Sequence, residues 1–206
     1  YPRPGLHRVL TTLRKSKAGW INNVGLRNPG ILSANSETVS IAGLESGDYE
    51  LMLYILDENP NVKNIEFNIS CPNAEVNNIR SDILYVANQC FDKVVVKLPH
   101  NISDERLFKL LDLGEFIPHV SNTKVLEEGA LSGIALVREN ISTISKIKSY
   151  EKDRVIIGGG GIYNLEIAKR YIEAGADYLS LSTILINPFK CKSLIDDLLK
   201  YQEATY

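Results

Sequence analysis

The sequence predicts a parallel α/β fold, and three observations carry that expectation. Short apolar or β-branched runs alternate with helical stretches about six times between residues 38 and 201. The connections between them are short, and no linker or low-complexity segment divides the chain. Strands alternating with helices in this way pair in parallel through right-handed crossovers. The residue pattern alone leaves two architectures open, a doubly wound open sheet and a (β/α)8 barrel.

Thr38-Val39-Ser40-Ile41-Ala42 reads as a strand closed by Gly43, and Tyr49 to Leu56 as an apolar helix. Asn64 to Asn68 is the next strand, and Ser81 to Gln89 the next helix. Lys93-Val94-Val95-Val96-Lys97 is β-branched and therefore a strand. Ser103 is an N-cap for a helix over 104–113, with Asp104 and Glu105 in its positive first turn and Gly114 as its stop. Phe116 to Ser121 is a strand, and Ile134 to Ile147 a helix with one isoleucine-rich stripe. Arg154 to Gly158 is a strand, Asn164 caps a helix over 165–174, and Tyr178 to Leu181 is the last strand. Ser193 to Tyr201 closes the chain as a helix. The first 30 residues read as loops and turns around Gly19-Trp20-Ile21-Asn22.

With 206 residues, 44% of them hydrophobic, the chain can bury one core, so one domain over 1–206 is expected. A net charge of −2 gives no electrostatic footprint for nucleic acid. Cys71, Cys90 and Cys191 form no CxxC pair and no metal-ligand spacing with the histidines, which suggests free thiols in a reducing, cytoplasmic compartment. No apolar run approaches the roughly 20 residues of a membrane span. Tyr1-Pro2-Arg3-Pro4-Gly5 reads neither as a signal peptide nor as a natural start.

Two stretches carry candidate chemistry. Asn68-Ile69-Ser70-Cys71-Pro72-Asn73 stands where a strand opens into a loop, the place where parallel α/β folds set their chemistry. Asn68 and Asn73 each offer a carbonyl acceptor and an NH2 donor, a supply that suits a planar, urea-like ligand. Cys71 adds a thiol tunable for proton transfer or attack. Later, Gly158-Gly159-Gly160-Gly161 and Ser182-Thr183 follow two successive strands. Glycines let a backbone approach a phosphate, and a following helix start adds N–H donors. The run is not a dinucleotide fingerprint, because no acidic residue ends the next strand.

Together these motifs resemble the dihydroorotate dehydrogenase family of flavin mononucleotide (FMN) barrels. Residues 21–30 resemble its substrate loop, and Val39 to Gly43 its third strand. The segment from Asn68 to Asn73 is similar to its signature, and Val96-Lys97-Leu98-Pro99 to its fifth strand. Ser121-Asn122-Thr123, Leu131-Ser132-Gly133, Ile157 to Ile162 and Ser182-Thr183 resemble later loops in the same order.

The resemblance implies a (β/α)8 barrel whose first two strands lie upstream of Tyr1, and oxidation of dihydroorotate to orotate. It makes Cys71 the general base, as in the cysteine branch of the family. Asn22, Asn68, Asn73 and Asn122, with Thr123, would hold the substrate. Lys97 would sit near N1 and O2 of the flavin. Ser132, Gly133, Gly160, Gly161, Ser182 and Thr183 would bind the cofactor. Members often pair, so a homodimer is an expected assembly. Three features depart from the pattern: no glycine-rich lid follows Cys71, Ala130 stands where glycine is usual, and Ser182 where many relatives have glycine. Two other readings are a non-catalytic relative that keeps the barrel as a scaffold and a tRNA dihydrouridine synthase-like flavin barrel. The second is disfavoured by Ser70 before Cys71-Pro72 and by the lack of a basic RNA-binding segment.

Overall fold

The computed structural model describes residues 12–23, 30–69 and 79–205. Two compact units emerge: one holds residues 24–119 with 1–9, the other 120–206 with 10–23.

In the first unit, β3 (Thr38–Ile41), β4 (Asn64–Asn68), β5 (Lys93–Lys97) and β6 (Ile117–Val120) alternate with α1 (Asp48–Asp57), α2 (Ser81–Cys90) and α3 (Asp104–Leu111). The four strands pair in parallel in chain order. Side chains alternate across a strand, and β4 shows the result: Ile65 and Phe67 are fully buried, whereas Asn64, Glu66 and Asn68 are half-buried. The apolar side takes Tyr49 of α1 edge-on against Phe67, ring centres 5.2 Å apart. The opposite side of the same strands is polar, and it is the side that matters for function. Ser103 caps α3 by accepting from the Arg106 N–H, as its sequence predicts.

The second unit contains a sheet that the sequence reading does not anticipate. β1 (Leu13–Ser16), β2 (Gly19–Asn22), β8 (Gly129–Ser132) and β7 (Lys124–Leu126) form an antiparallel sheet in the order β1-β2-β8-β7. β9 (Ile157–Gly159) and β10 (Tyr178–Ser180) pair in parallel, with α4 (Val137–Tyr150), α5 (Leu165–Glu173) and α6 (Pro188–Thr205) in the same unit. Asn164 caps α5 by accepting from the Ile167 N–H. Helix packing reaches the strand backbone here: a Cβ on Gly158 would stand 2.9 Å from Ala176, Ile144 and Tyr171.

The expectation of a closed (β/α)8 barrel is corrected in part. Among the described residues, β3 pairs only with β4 and β10 only with β9, so no strand pairing closes a ring. Closure needs a partner on both sides of every strand, and four of the ten described strands go instead into the antiparallel sheet. A cleft of about 630 Å³ runs along the outer edge of β3, with Met52 and Ile55 of α1 among its lining.

Candidate active site

Two groups of side chains sit at strand ends, one in each unit. In the first unit, register places Asn68, Lys97 and His119 side by side on β4, β5 and β6. Pairs in register point to the same side of a sheet, so all three lie on the polar face, and Glu66 joins them two residues before Asn68. Ser40 sits opposite Glu66 on β3.

The Glu66 carboxylate is the hub of this face. Ser40 Oγ donates to its Oε1 at 2.7 Å, and His119 Nδ1 lies 2.6 Å from its Oε2. Burial pushes the Glu66 carboxyl upward, but the His119 hydrogen bond, the positive charge of Lys97 and the Ser40 hydroxyl outweigh it. The net effect holds the group below the usual carboxylate range and therefore ionised at neutral pH.

In the second unit, the candidate phosphate loop is held from beneath. The Asn140 side chain donates from Nδ2 to the Gly159 carbonyl at 2.8 Å. The Tyr171 hydroxyl lies 2.7 Å from the Gly159 and Gly160 carbonyls and donates to this pair. A trans peptide sets its N–H opposite its C=O. Tying these two carbonyls to α4 and α5 therefore turns the N–H groups of Gly160 and Gly161 away from the buried side. Ser182 and Thr183 leave the end of β10, which pairs with β9 at Ser180 and Gly159. Ser182 is exposed and makes no side-chain cap to the short 3-10 helix that follows.

Glycine is required at this loop for a reason beyond ligand access. Gly161 has φ +74°, and a Cβ there would stand 2.5 Å from the Gly133 carbonyl oxygen. Gly133 has φ +118°, and its own Cβ would stand 2.9 Å from the Cα of Gly19. Three turns thus meet backbone to backbone.

The remaining expected site residues divide clearly. Asn22 donates from Nδ2 to the Ala130 carbonyl at 3.3 Å, tying β2 to β8. Ser132 Oγ donates to the Trp20 carbonyl at 3.2 Å across the same strands. Asn122 Oδ1 accepts from the Thr123 N–H at 2.7 Å. Cys71 and Asn73 lie outside the described residues. The sequence reading did not single out Glu66, His119, Asn140 or Tyr171. The available signal was a Tyr on the buried stripe of α5 with Ile167 and Ala168, because a buried tyrosine needs a partner for its hydroxyl.

Burial pushes the Tyr171 hydroxyl up to about 12. Its protonated form thus stabilises the fold fully below pH 10, and that contribution is lost as pH rises toward 12. Tyr171→Phe is expected to cost about 1–3 kcal/mol at neutral pH, because the Gly160 carbonyl loses its donor. In urea denaturation, the deficit of the variant should shrink between about pH 10 and pH 12. A deficit that stays constant over that range would show that the hydroxyl does not carry the effect.

A family model described as dihydroorotate dehydrogenase matches residues 2–201. Among curated proteins, the chain is 27% identical to the catalytic subunit of dihydroorotate dehydrogenase B (NAD(+)) from Latilactobacillus sakei subsp. sakei, over 96% of this chain and 78% of that protein. It is 26% identical to the same subunit from Listeria monocytogenes, over 98% of this chain and 79% of that protein. The aligned span, 242 residues with the first of these, exceeds the 206 residues present here, so the relative carries internal segments that this chain lacks. Among solved structures, the Eimeria tenella enzyme in complex with ferulenol superposes with a TM-score of 0.71 at 18% identity, covering 90% of this chain and 68% of that one. That likeness is one of fold, and it supports a barrel-type α/β architecture.

Proposed function

The chain belongs to the dihydroorotate dehydrogenase family, and on that premise we propose that it oxidises dihydroorotate to orotate in pyrimidine synthesis with FMN as its cofactor. As a member of that family it is an oxidoreductase, and flavin dependence follows from the same membership. The observation that carries the proposal is the polar strand-end group: Asn68 and Lys97 stand in register on adjacent parallel strands, in the segments that resemble the family's signature and its fifth strand.

The residues present fit the cofactor. The Gly160 and Gly161 N–H groups face away from Tyr171, as an anion-binding turn requires. Ser182 is an exposed hydroxyl at the neighbouring strand end, with Thr183 beside it. Lys97 offers a cation, on a backbone position held by β5, where reduction of a flavin puts negative charge. FMN, when bound, accepts the hydride that leaves C6 of the substrate. In this reading Cys71 removes the C5 proton, and Asn22, Asn68, Asn73, Asn122 and Thr123 orient the pyrimidine edge and carboxylate. Ser132 and Gly133 contribute to the cofactor loop.

The whole chain is read as one flavin-binding domain, because the family match runs from residue 2 to residue 201. The named relatives are catalytic subunits of an NAD(+)-type enzyme, so we place a nicotinamide route first among electron acceptors. A homodimer and a cytoplasmic location belong to the same proposal. Among the described residues no helix is long and apolar enough to cross a membrane. The names of the relatives favour this oxidation over the scaffold and tRNA-modifying alternatives.

The test is direct. The purified full chain, supplied with FMN, should show a protein-bound flavin spectrum that bleaches when dihydroorotate is added without air, with orotate formed in step. A chain that binds flavin without bleaching would support the scaffold reading instead. A chain that takes up no flavin would remove the cofactor assignment.

A further inference from the structure

One buried atom on the polar face of the first unit lacks a partner. His119 is 9% exposed, and its Nε2 meets no hydrogen-bonding group among the described residues. The other ring nitrogen decides what Nε2 is. Nδ1 lies 2.6 Å from Glu66 Oε2. An ionised carboxylate only accepts, so the proton in that contact belongs to Nδ1. Ser40 fills the second carboxylate oxygen and leaves Glu66 no reason to turn away. In the neutral ring Nε2 is then a bare acceptor. A buried acceptor with no donor is unfavourable, and a donor that reaches it gains the difference. Lys97 and Asn68 stand beside His119 in register on the same face. Both of the other groups around the hub are accounted for: Lys97 is a cation and Ser40 already donates.

We propose that His119 Nε2 is a ligand-binding acceptor, which receives a hydrogen bond from the ring N–H of the planar heterocycle that Lys97 serves. Glu66 and Ser40 are positioning residues that hold the tautomer. The inference rests on the FMN reading above. Oxidised flavin carries one ring N–H, at N3, so that group is the donor His119 takes.

The test titrates FMN and N3-methyl-FMN into the flavin-free full chain and follows flavin fluorescence. For the wild type, N3-methylation should weaken binding about five- to tenfold, the value of one hydrogen bond. His119→Leu should bind both flavins alike, each as weakly as the wild type binds the methylated one. His119→Gln keeps an acceptor oxygen and should recover part of the preference for FMN. Glu66→Gln can donate to Nδ1 and shift the ring proton to Nε2, so it should lose the preference as His119→Leu does. Equal wild-type affinity for the two flavins overturns the inference, and that comparison needs no variant to fold. A methylation penalty that persists in folded His119→Leu also overturns it, by assigning the N–H to another acceptor. Failure of the wild type to take up either flavin is a different result: it removes the cofactor reading, and this inference with it.

Discussion

Cys71→Ala is expected to lower the turnover of dihydroorotate by roughly 10²–10⁴-fold while leaving FMN bound, because that is the range over which a positioned general base accelerates a reaction. The motive is the place of Cys71 between Asn68 and Asn73, three residues beyond the end of β4. Asn68 is anchored by β4, so the chain leaves the strand toward Cys71 from a point in register with Lys97. Cys71→Ser should be less damaging at high pH than at neutral pH, since a hydroxyl is a poorer base than a tuned thiol. The measurement is steady-state orotate formation alongside the flavin spectrum of each variant. Near-normal turnover by the alanine variant with intact flavin would take Cys71 out of the mechanism.

The second large effect is expected at Gly161→Val. This substitution sets a β-branched residue at φ +74°, and its Cβ would stand 2.5 Å from the Gly133 oxygen and 2.9 Å from the Cα of Ile134. Backbone strain of this kind costs about 1–3 kcal/mol before any collision is counted. The neighbouring atoms are backbone and cannot swing aside as a side chain would. Gly47→Val is the control: its φ is +87°, yet nothing lies within 4 Å of the added Cβ. It should carry the strain alone. Gly161→Val should lose both bound FMN and stability in the second unit, by distinctly more than the control, in denaturant titrations that record flavin release. Full FMN content and control-like stability would place the phosphate away from this loop and show that the Gly133 contact yields.

The parts legible in the sequence were those set by local chemistry. β4 and β5 begin and end where their residues predict, and the Ser103 and Asn164 caps act as expected. The strands of the antiparallel sheet were not legible. They are only three or four residues long, and β1, Leu-Arg-Lys-Ser, has no buried residue to give a period. The sheet joins two short hairpins, β1-β2 and β7-β8, through partners more than 100 residues apart, such as Trp20 with Ser132. The start of α6 was misplaced for a different reason. Asn187 accepts from the Lys190 N–H at 3.1 Å and Pro188 opens the helix, so this cap and first-turn signal starts α6 ahead of the expected Ser193.

At the candidate site, the sequence reading named the residues at strand ends and missed those that support them. Asn68, Lys97 and the glycine run stand out because their types are unusual at such places. Glu66 and His119 are separated by 53 positions and meet only because β5 lies between their strands in register. Asn140 and Tyr171 look like ordinary helix residues until the Gly159 carbonyl is seen between them.

The meeting of Gly19, Gly133 and Gly161 has a consequence for how this protein can change over evolutionary time. Most tight contacts can drift, because a gain in bulk on one side is offset by a loss on the other. Here each partner already has the smallest side chain there is, and the nearest neighbour of each added Cβ is a main-chain atom. No compensating second substitution exists at these positions, so the three turns are constrained jointly. Variation should accumulate around the junction, in the residues flanking each glycine, while the glycines themselves stay fixed. A library randomised at all three positions and selected for folding should return glycine at each of them and no paired exchange.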